Sequence, residues 1–352
     1  MANSRVRSET RAGRDRAAAA TTPAQVHKFT ELVSPNVSFD FVGKRKFFLI
    51  LSSVLNLLAV LMFFVRGLNF GIDFAGGTDV RIRFAQATTA NDLRQDLHGV
   101  DLPDLTVQEF GSAGKEFLLR FEPQTATAMN TVAETIKDAL GKKLPEPGAF
   151  EILSVESVGP KVGAELRQRG FLAVACTTIF MGIYIAFRFE LSFGVGAVIA
   201  LFHDVLIVLL ALVVSHTIFD LTTLAAMLTV IGFSVHDTII VSDRVRENLR
   251  KTRRASLAEV INMSINETLS RTILTTGTAL LVLFALYFLG GPGLAPFAFT
   301  LIIGFITGTY SSIYIAAPVV MSWQQILDKR RRARDMQGGH QPQPHAGETA
   351  RA

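Results

Sequence analysis

Two carboxylates interrupt long apolar runs of this 352-residue sequence: Asp204, directly after His203, and Asp237, directly after His236. Arg271 opens a further run of the same kind. An ionisable group at the middle of a membrane-length apolar segment costs about 2.5–3.5 kcal/mol on insertion scales, so each needs a reason. A carboxylate can take up and release a proton there, and a guanidinium cannot. An arginine close to the carboxylate favours its charged form, and one withdrawn from it releases that hold. Ser234 shares the helical face of Asp237 at i−3, with Gly232 close to it, while Arg271, Thr275 and Thr278 follow at i, i+4 and i+7. Two polar stripes at matched depth on antiparallel helices predict a hydrated seam. In it Asp237, within reach of Arg271, is a proton-coupling candidate, and Asp204 is a second. A proton crossing the field yields about 2.3 kcal/mol per 100 mV, enough to bias a two-state helix bundle.

A plainer reading stays open for each group. An Asp–Arg pair can be a static interhelical tie, and Asp204 can simply hold a polar contact. His203, His236, Ser234 and Thr275 are possible helpers, and either imidazole can equally be a hydrogen-bonded packing residue. Two histidines on different segments do not make a metal site. The one cysteine, Cys176, falls inside an apolar run, which excludes an intrachain disulfide and a cysteine-based metal centre. No metal and no cofactor is expected.

These groups must be positioned by membrane-spanning helices. Apolar residues make up 49% of the chain and charged residues 18%, against about a quarter for a soluble domain. Crossing the hydrocarbon core takes about 20 apolar residues. Six stretches qualify: 47–65, 170–187, 191–215, 221–241, 273–289 and 296–321. Lys and Arg gather on one side, at Lys44–Lys46, Arg188, Arg244 to Arg254 and Lys329–Arg332, whereas the loops 216–220 and 290–295 carry none. The bias toward positive cytoplasmic loops therefore puts both termini in the cytoplasm and residues 67–169 outside. Trp323 falls at the cytoplasmic end of the last span. The net charge of +5 comes from bases flanking apolar runs, not from a basic face with interleaved aromatics, so no nucleic acid is expected as a partner. The start of the chain has the look of a polar Ala/Arg-rich arm, not of a signal peptide.

The organisation expected is an N-terminal arm over 1–43, a first span over 44–66 and an external domain over 67–169. Five further spans over 170–325 follow, with a cytoplasmic loop at 243–270, and then a basic tail over 326–352. In the external domain, Thr78–Ala85 alternates as a half-buried strand, 91–97 is helix-like, and 105–110 with 116–121 form a hairpin around the turn at 111–114. Met129, Val132, Ile136 and Leu140 share a helical face, and 150–158 is a last strand. The order β-α-β-β-α-β is the ferredoxin-like plan, so the fold class is an α-helical integral membrane protein with an α+β ferredoxin-like domain. That domain shows no catalytic constellation and suits a binding or lever role. After Arg244–Arg254, Ser256 to Glu259 is a capping box, and Leu257, Ile261, Ile265 and Leu269 predict an amphipathic helix lying on lipid.

Several long motifs resemble the SecD/SecF protein-export family of the resistance-nodulation-division superfamily, on its SecF side. Gly71-Ile72-Asp73-Phe74-Ala75-Gly76-Gly77-Thr78 follows the first span, and Glu156-Ser157-Val158-Gly159-Pro160 precedes the second. Leu201-Phe202-His203-Asp204 stands in the third. Ile231-Gly232-Phe233-Ser234-Val235-His236-Asp237-Thr238, continued by Asp243 to Asn248, stands in the fourth, and Asn266 to Thr272 leads into the fifth. The resemblance covers roughly 40–325. It implies a non-enzymatic accessory subunit of the Sec preprotein translocase in the bacterial inner membrane, driven by the proton-motive force. A SecD partner would supply six more spans, with the SecYEG channel and a translocating preprotein as further contacts. By the resemblance, Asp237 is the proton carrier and Arg271 its charge partner. His236 stands where the family commonly has Asn, which bears on the proton affinity of Asp237, and Ser242 where Phe is common. Gly71, Asp73, Gly76, Gly77, Gly159 and Pro160 are expected to dock the domain on the bundle, with Asp73 an anchoring acceptor. The alternatives are half of a small-molecule or lipid exporter of the same superfamily, and a scaffold without transport coupling.

Overall fold

The computed structural model describes residues 38–337, except 101, 110–113, 123–125, 145, 147 and 253. The arm before residue 38, most of the turn at 111–114, the side chain of Met129 and the tail after 337 lie outside the described residues. In chain order the elements are α1 (Arg45–Arg66), the short α2 (Ile72–Ala75), β1 (Gly77–Phe84), α3 (Ala90–Asp96), β2 (Thr106–Glu109), β3 (Glu116–Phe121), α4 (Ala126–Lys143) and β4 (Phe150–Val158). Then come α5 (Pro160–Arg188), α6 (Leu191–Ser215), α7 (Leu221–Lys251), α8 (Leu257–Leu289), α9 (Ala295–Ser311), a π-helical turn (Ser312–Ala316) and α10 (Ala317–Gln337). Helices α1, α5, α6, α7 and α8, and the continuous rod from α9 into α10, are long and apolar enough to cross a membrane, six spans as the hydropathy pattern requires. The chain is a multi-pass membrane protein.

The four strands pair antiparallel throughout in the order β2-β3-β1-β4, the ferredoxin-like arrangement. Alternation decides which face is buried. Val80, Ile82 and Phe84 of β1 join Phe117, Leu119 and Phe121 of β3, and α3 and α4 cover them with Leu93, Ile136 and Leu140. Each such fully buried side chain stabilises the domain by about 1.5–3 kcal/mol. The other face of the sheet is charged: Arg83 pairs with Glu116 at 2.8 Å and Arg120 with Asp79 at 2.8 Å.

The cytoplasmic-side expectation differs from the structure. Residues 243–270 are not a loop with a separate lipid-lying helix. They are the end of α7 and the start of α8, with five residues between them in the chain. Ser256 caps α8, accepting from the Glu259 N–H at 3.3 Å while Glu259 returns a bond to the Ser256 N–H at 2.8 Å. No Gly or Pro follows before Arg271, so the helix runs on unbroken into the fifth span. The stripe Ile261, Ile265 and Leu269 is buried in protein. Asn248 of α7 donates to Ser264 at 3.0 Å and to Glu267 at 2.7 Å, and Arg244 reaches Glu267 at 2.5 Å. Residues 38–42 lie along the same extension. Asn262 and Asn266, one turn apart, bind the main chain of Phe39, Phe41 and Val42 at 2.8–3.3 Å.

Candidate functional site

The inner site forms where α9 meets α7. A Cβ at Gly304 would fall 2.0 Å from Val230 Cγ2, and one at Gly308 would fall 3.0 Å from Ser234 Cβ. Two glycines a turn apart thus face Val230 and Ser234, also a turn apart, and let the backbones approach as small residues do between membrane helices. Immediately afterwards the rod loosens into the π turn, a feature common at functional sites. Ser311 and Ser312, on either side of its start, are both buried and both point inward. Ser311 donates to Asp204 Oδ2 at 2.8 Å, and Ser312 meets the hydroxyl of Thr238 at 3.0 Å.

Asp204 is fully enclosed at this junction. Ser234 donates to its Oδ2 at 2.6 Å, and His203 Nδ1 lies 3.0 Å from its Oδ1. Both carboxylate oxygens are therefore held, by α6, α7 and α9. The His203 ring lies 5.8 Å from that of Tyr310, whose hydroxyl is 2.7 Å from Ser52 Oγ and donates to the Phe48 carbonyl at 3.0 Å, which brings in α1. Asp237 stands one turn beyond Ser234 and is 1% exposed. Among the described residues its one hydrogen bond comes from Thr309 Oγ1, at 3.3 Å. A carboxylate offers about four acceptor positions, so Asp237, with one bond, is loosely held where Asp204, with three, is firmly held.

The remaining members of the expected seam do not join these two. His236, Arg271 and Thr275 are exposed on the outer surface of α7 and α8, together with Thr229, Gly232 and Thr278. No ion pair among the described residues links Arg271 to Asp237. The hydroxyls of Thr275 and Thr278 turn back to the Arg271 and Leu274 carbonyls of their own helix at 3.0 and 2.9 Å. Matching of depth along two helices fixes the level of a residue and leaves its direction around the axis open. The inner seam instead uses Thr309, Ser311, Ser312 and Tyr310. Their signal in the sequence is the Gly304-x-x-x-Gly308 spacing followed by four hydroxyl residues in a row.

The second set of residues, at the opposite end of the bundle, forms a joint between domain and helices. Gly76 has φ +82° and touches the start of α5 so closely that a Cβ would lie 2.8 Å from Pro160 Cα. Gly159 is the cap before Pro160, which takes the first helical position. Gly77 opens β1, and Gly71 donates to the Phe219 carbonyl at 2.8 Å. Asp73 Oδ2 accepts from the N–H of Leu221, the first residue of α7, at 2.9 Å. Phe74 is buried in the bundle core and stacks on Phe219 with ring centroids 5.4 Å apart.

Among the described residues no cluster of His, Cys, Asp and Glu has the makings of a metal site. Six spans, a ferredoxin-like domain inserted after the first, and carboxylates buried at mid-bundle define a transporter-like membrane subunit. The chain belongs to the SecD/SecF protein-export family. The family model "Protein export membrane protein SecD/SecF, C-terminal" matches residues 136–326, and the "SecD/SecF GG Motif" matches 62–88. The protein translocase subunit SecF of Calditerrivibrio nitroreducens is 41% identical, over 83% of this chain and 96% of its own. That of Magnetococcus marinus is 45% identical, over 80% and 91%. The crystal structure of SecDF, a translocon-associated membrane protein from Thermus thermophilus, superposes with TM-score 0.75 at 34% identity, over 84% of this chain. A structure of SecDF in a super-membrane-facing form gives TM-score 0.62 at 35% identity. This chain spans 40% of the length of either SecDF chain.

Proposed function

We propose that this chain is an accessory subunit of the Sec preprotein translocase that works with a SecD partner and uses the proton-motive force to promote export. It resides in the bacterial inner membrane with both termini cytoplasmic and the α+β domain outside. Asp237 carries the proton, Asp204 is a second buried carboxylate, and Arg271, which stands withdrawn from Asp237 on the exposed face of α8, is its charge partner when the two approach. The observation that carries this reading is the exposed polar stripe of Thr229, His236, Arg271, Thr275 and Thr278, on two helices that cross the membrane. A guanidinium and an imidazole facing hydrocarbon are costly, and a second set of helices laid over α7 and α8 removes that cost. Such a partner also brings its own polar groups to the level of Asp237. The kinship with SecF subunits, and the SecDF chains of which this one spans 40%, support a SecD-type partner. The SecYEG channel and an emerging preprotein are the further contacts this function requires.

The reading is tested with inverted membrane vesicles from cells making SecD with or without this chain. Preprotein translocation is followed with the proton gradient intact and collapsed by an uncoupler. The expected result is a chain-dependent gain in export that disappears on collapse. A gain of equal size with and without the gradient overturns proton coupling.

A further inference from the structure

The segment between α1 and β1 is fastened in three directions at once. Toward the bundle, Asp73 accepts from the Leu221 N–H at 2.9 Å, Gly71 N–H donates to the Phe219 carbonyl, and the Phe219 N–H donates to the Asn69 carbonyl at 2.8 Å. Toward α5, Gly76 lies on Pro160, and the Arg167 guanidinium sits 5.6 Å above the Phe70 ring. Toward the sheet, Arg120 grips Asp79 with two bonds and the Phe70 carbonyl with a third, at 2.9 Å. Only Gly76 separates α2 from β1.

We propose that Asp73 is a positioning residue that makes α7 and the α+β domain move as one body, delivering to the domain whatever displacement α7 undergoes at Asp237. This rests on the reading of Asp237 as the proton carrier. The first N–H groups of a helix have no partner within it, and negative charge is favoured beside them. At α7, Asp220 takes the Thr223 N–H at 2.8 Å, and Asp73, reaching across from the domain's own hinge turn, takes that of Leu221. A charge-assisted bond of this kind has a fixed length and direction, where apolar contacts can slide. From Leu221 to Asp237 is sixteen residues, about 24 Å along the axis. α7 contains no proline, the usual cause of a sharp kink, so an axial shift at its middle reaches its end. The Asp73 bond meets that end and passes the shift through α2 to β1. The Phe74 plug and the Phe70–Phe219 bridge keep the domain attached when the carboxylate is removed.

The test uses the full chain in lipid, with spin labels at Glu151→Cys in β4 and Ala225→Cys in α7, and Cys176→Ser. The label-to-label distance is expected to be narrowly distributed in this parent, broadened by Asp73→Ala, and restored by Asp73→Asn, whose amide oxygen still accepts. In vesicles with SecD, Asp73→Ala is expected to lose the gradient-dependent part of export and Asp73→Asn to keep it. A distance distribution unchanged in Asp73→Ala overturns the proposal, as does undiminished gradient-dependent export in that variant. If the parent itself shows no gradient-dependent export, the proton reading fails, and the distance distribution by itself decides whether Asp73 holds the joint.

Discussion

Replacing Gly304 with alanine places a methyl 2.0 Å from Val230 Cγ2, 2.7 Å from Cγ1 and 2.9 Å from Cβ. Carbon atoms in favourable contact lie about 3.5–4.0 Å apart. Rotating Val230 moves its two γ carbons and leaves Cβ in place, so α9 must back away from α7 by about half an ångström or more. Overpacking of this kind costs about 1–3 kcal/mol. The same movement stretches the 3.3 Å bond from Thr309 to Asp237 beyond a useful length, whereas the 2.8 Å bond from Ser311 to Asp204 has slack. Val230→Ala alone forfeits two buried methyl groups, about 1.6 kcal/mol. Combined with Gly304→Ala it removes the two shortest contacts, at 2.0 and 2.7 Å, and leaves the 2.9 Å contact with Cβ, so the strain is relieved in part. The double variant should therefore be more stable than the sum of the singles by about 1–2 kcal/mol. Denaturant unfolding of the detergent-solubilised chain measures all four corners of the cycle. Simple additivity within about 0.5 kcal/mol, or a neutral Gly304→Ala, refutes the close approach of α7 and α9 on which the inner site depends.

Ile265 is 1% exposed in the extension of α8, so Ile265→Ala should cost about 2–5 kcal/mol in the same unfolding assay. A helix lying on lipid at that position would register almost nothing. Replacing Asn262 and Asn266 together by alanine removes five bonds to the main chain of residues 39–42, and limited proteolysis should then cut near residues 38–43 faster than in the parent. An unchanged cleavage rate there rejects the asparagine clamp.

Hydropathy and alternation carried the fold a long way. The run 191–215 is bounded as α6 is, and the strand at 150–158 coincides with β4, because apolar length and two-residue periodicity are properties of the local chain. The boundary of α8 was not legible in that way. Its first four turns are amphipathic, and the sequence alone does not say whether the apolar stripe meets lipid or protein. The site divided similarly. The depth of Asp204 and Asp237 in the bundle follows from their place in apolar runs, whereas the inward direction of Asp237 and the outward direction of Arg271 and His236 depend on how α7 and α8 are rotated against α6 and α9. That rotation is set by Gly304, Gly308 and the π turn, long-range packing features that periodicity along one helix does not report.

We propose that protons drive this subunit through Asp237. The measurement that bears on it most directly is preprotein export in vesicles carrying the SecD complex with Asp237→Asn, compared with the parent at full and collapsed gradient. The amide keeps the shape of the carboxylate and cannot carry the proton. Normal assembly, unchanged gradient-independent export and loss of the gradient-dependent part are expected. A full response to the gradient in the Asp237→Asn complex contradicts the proposal.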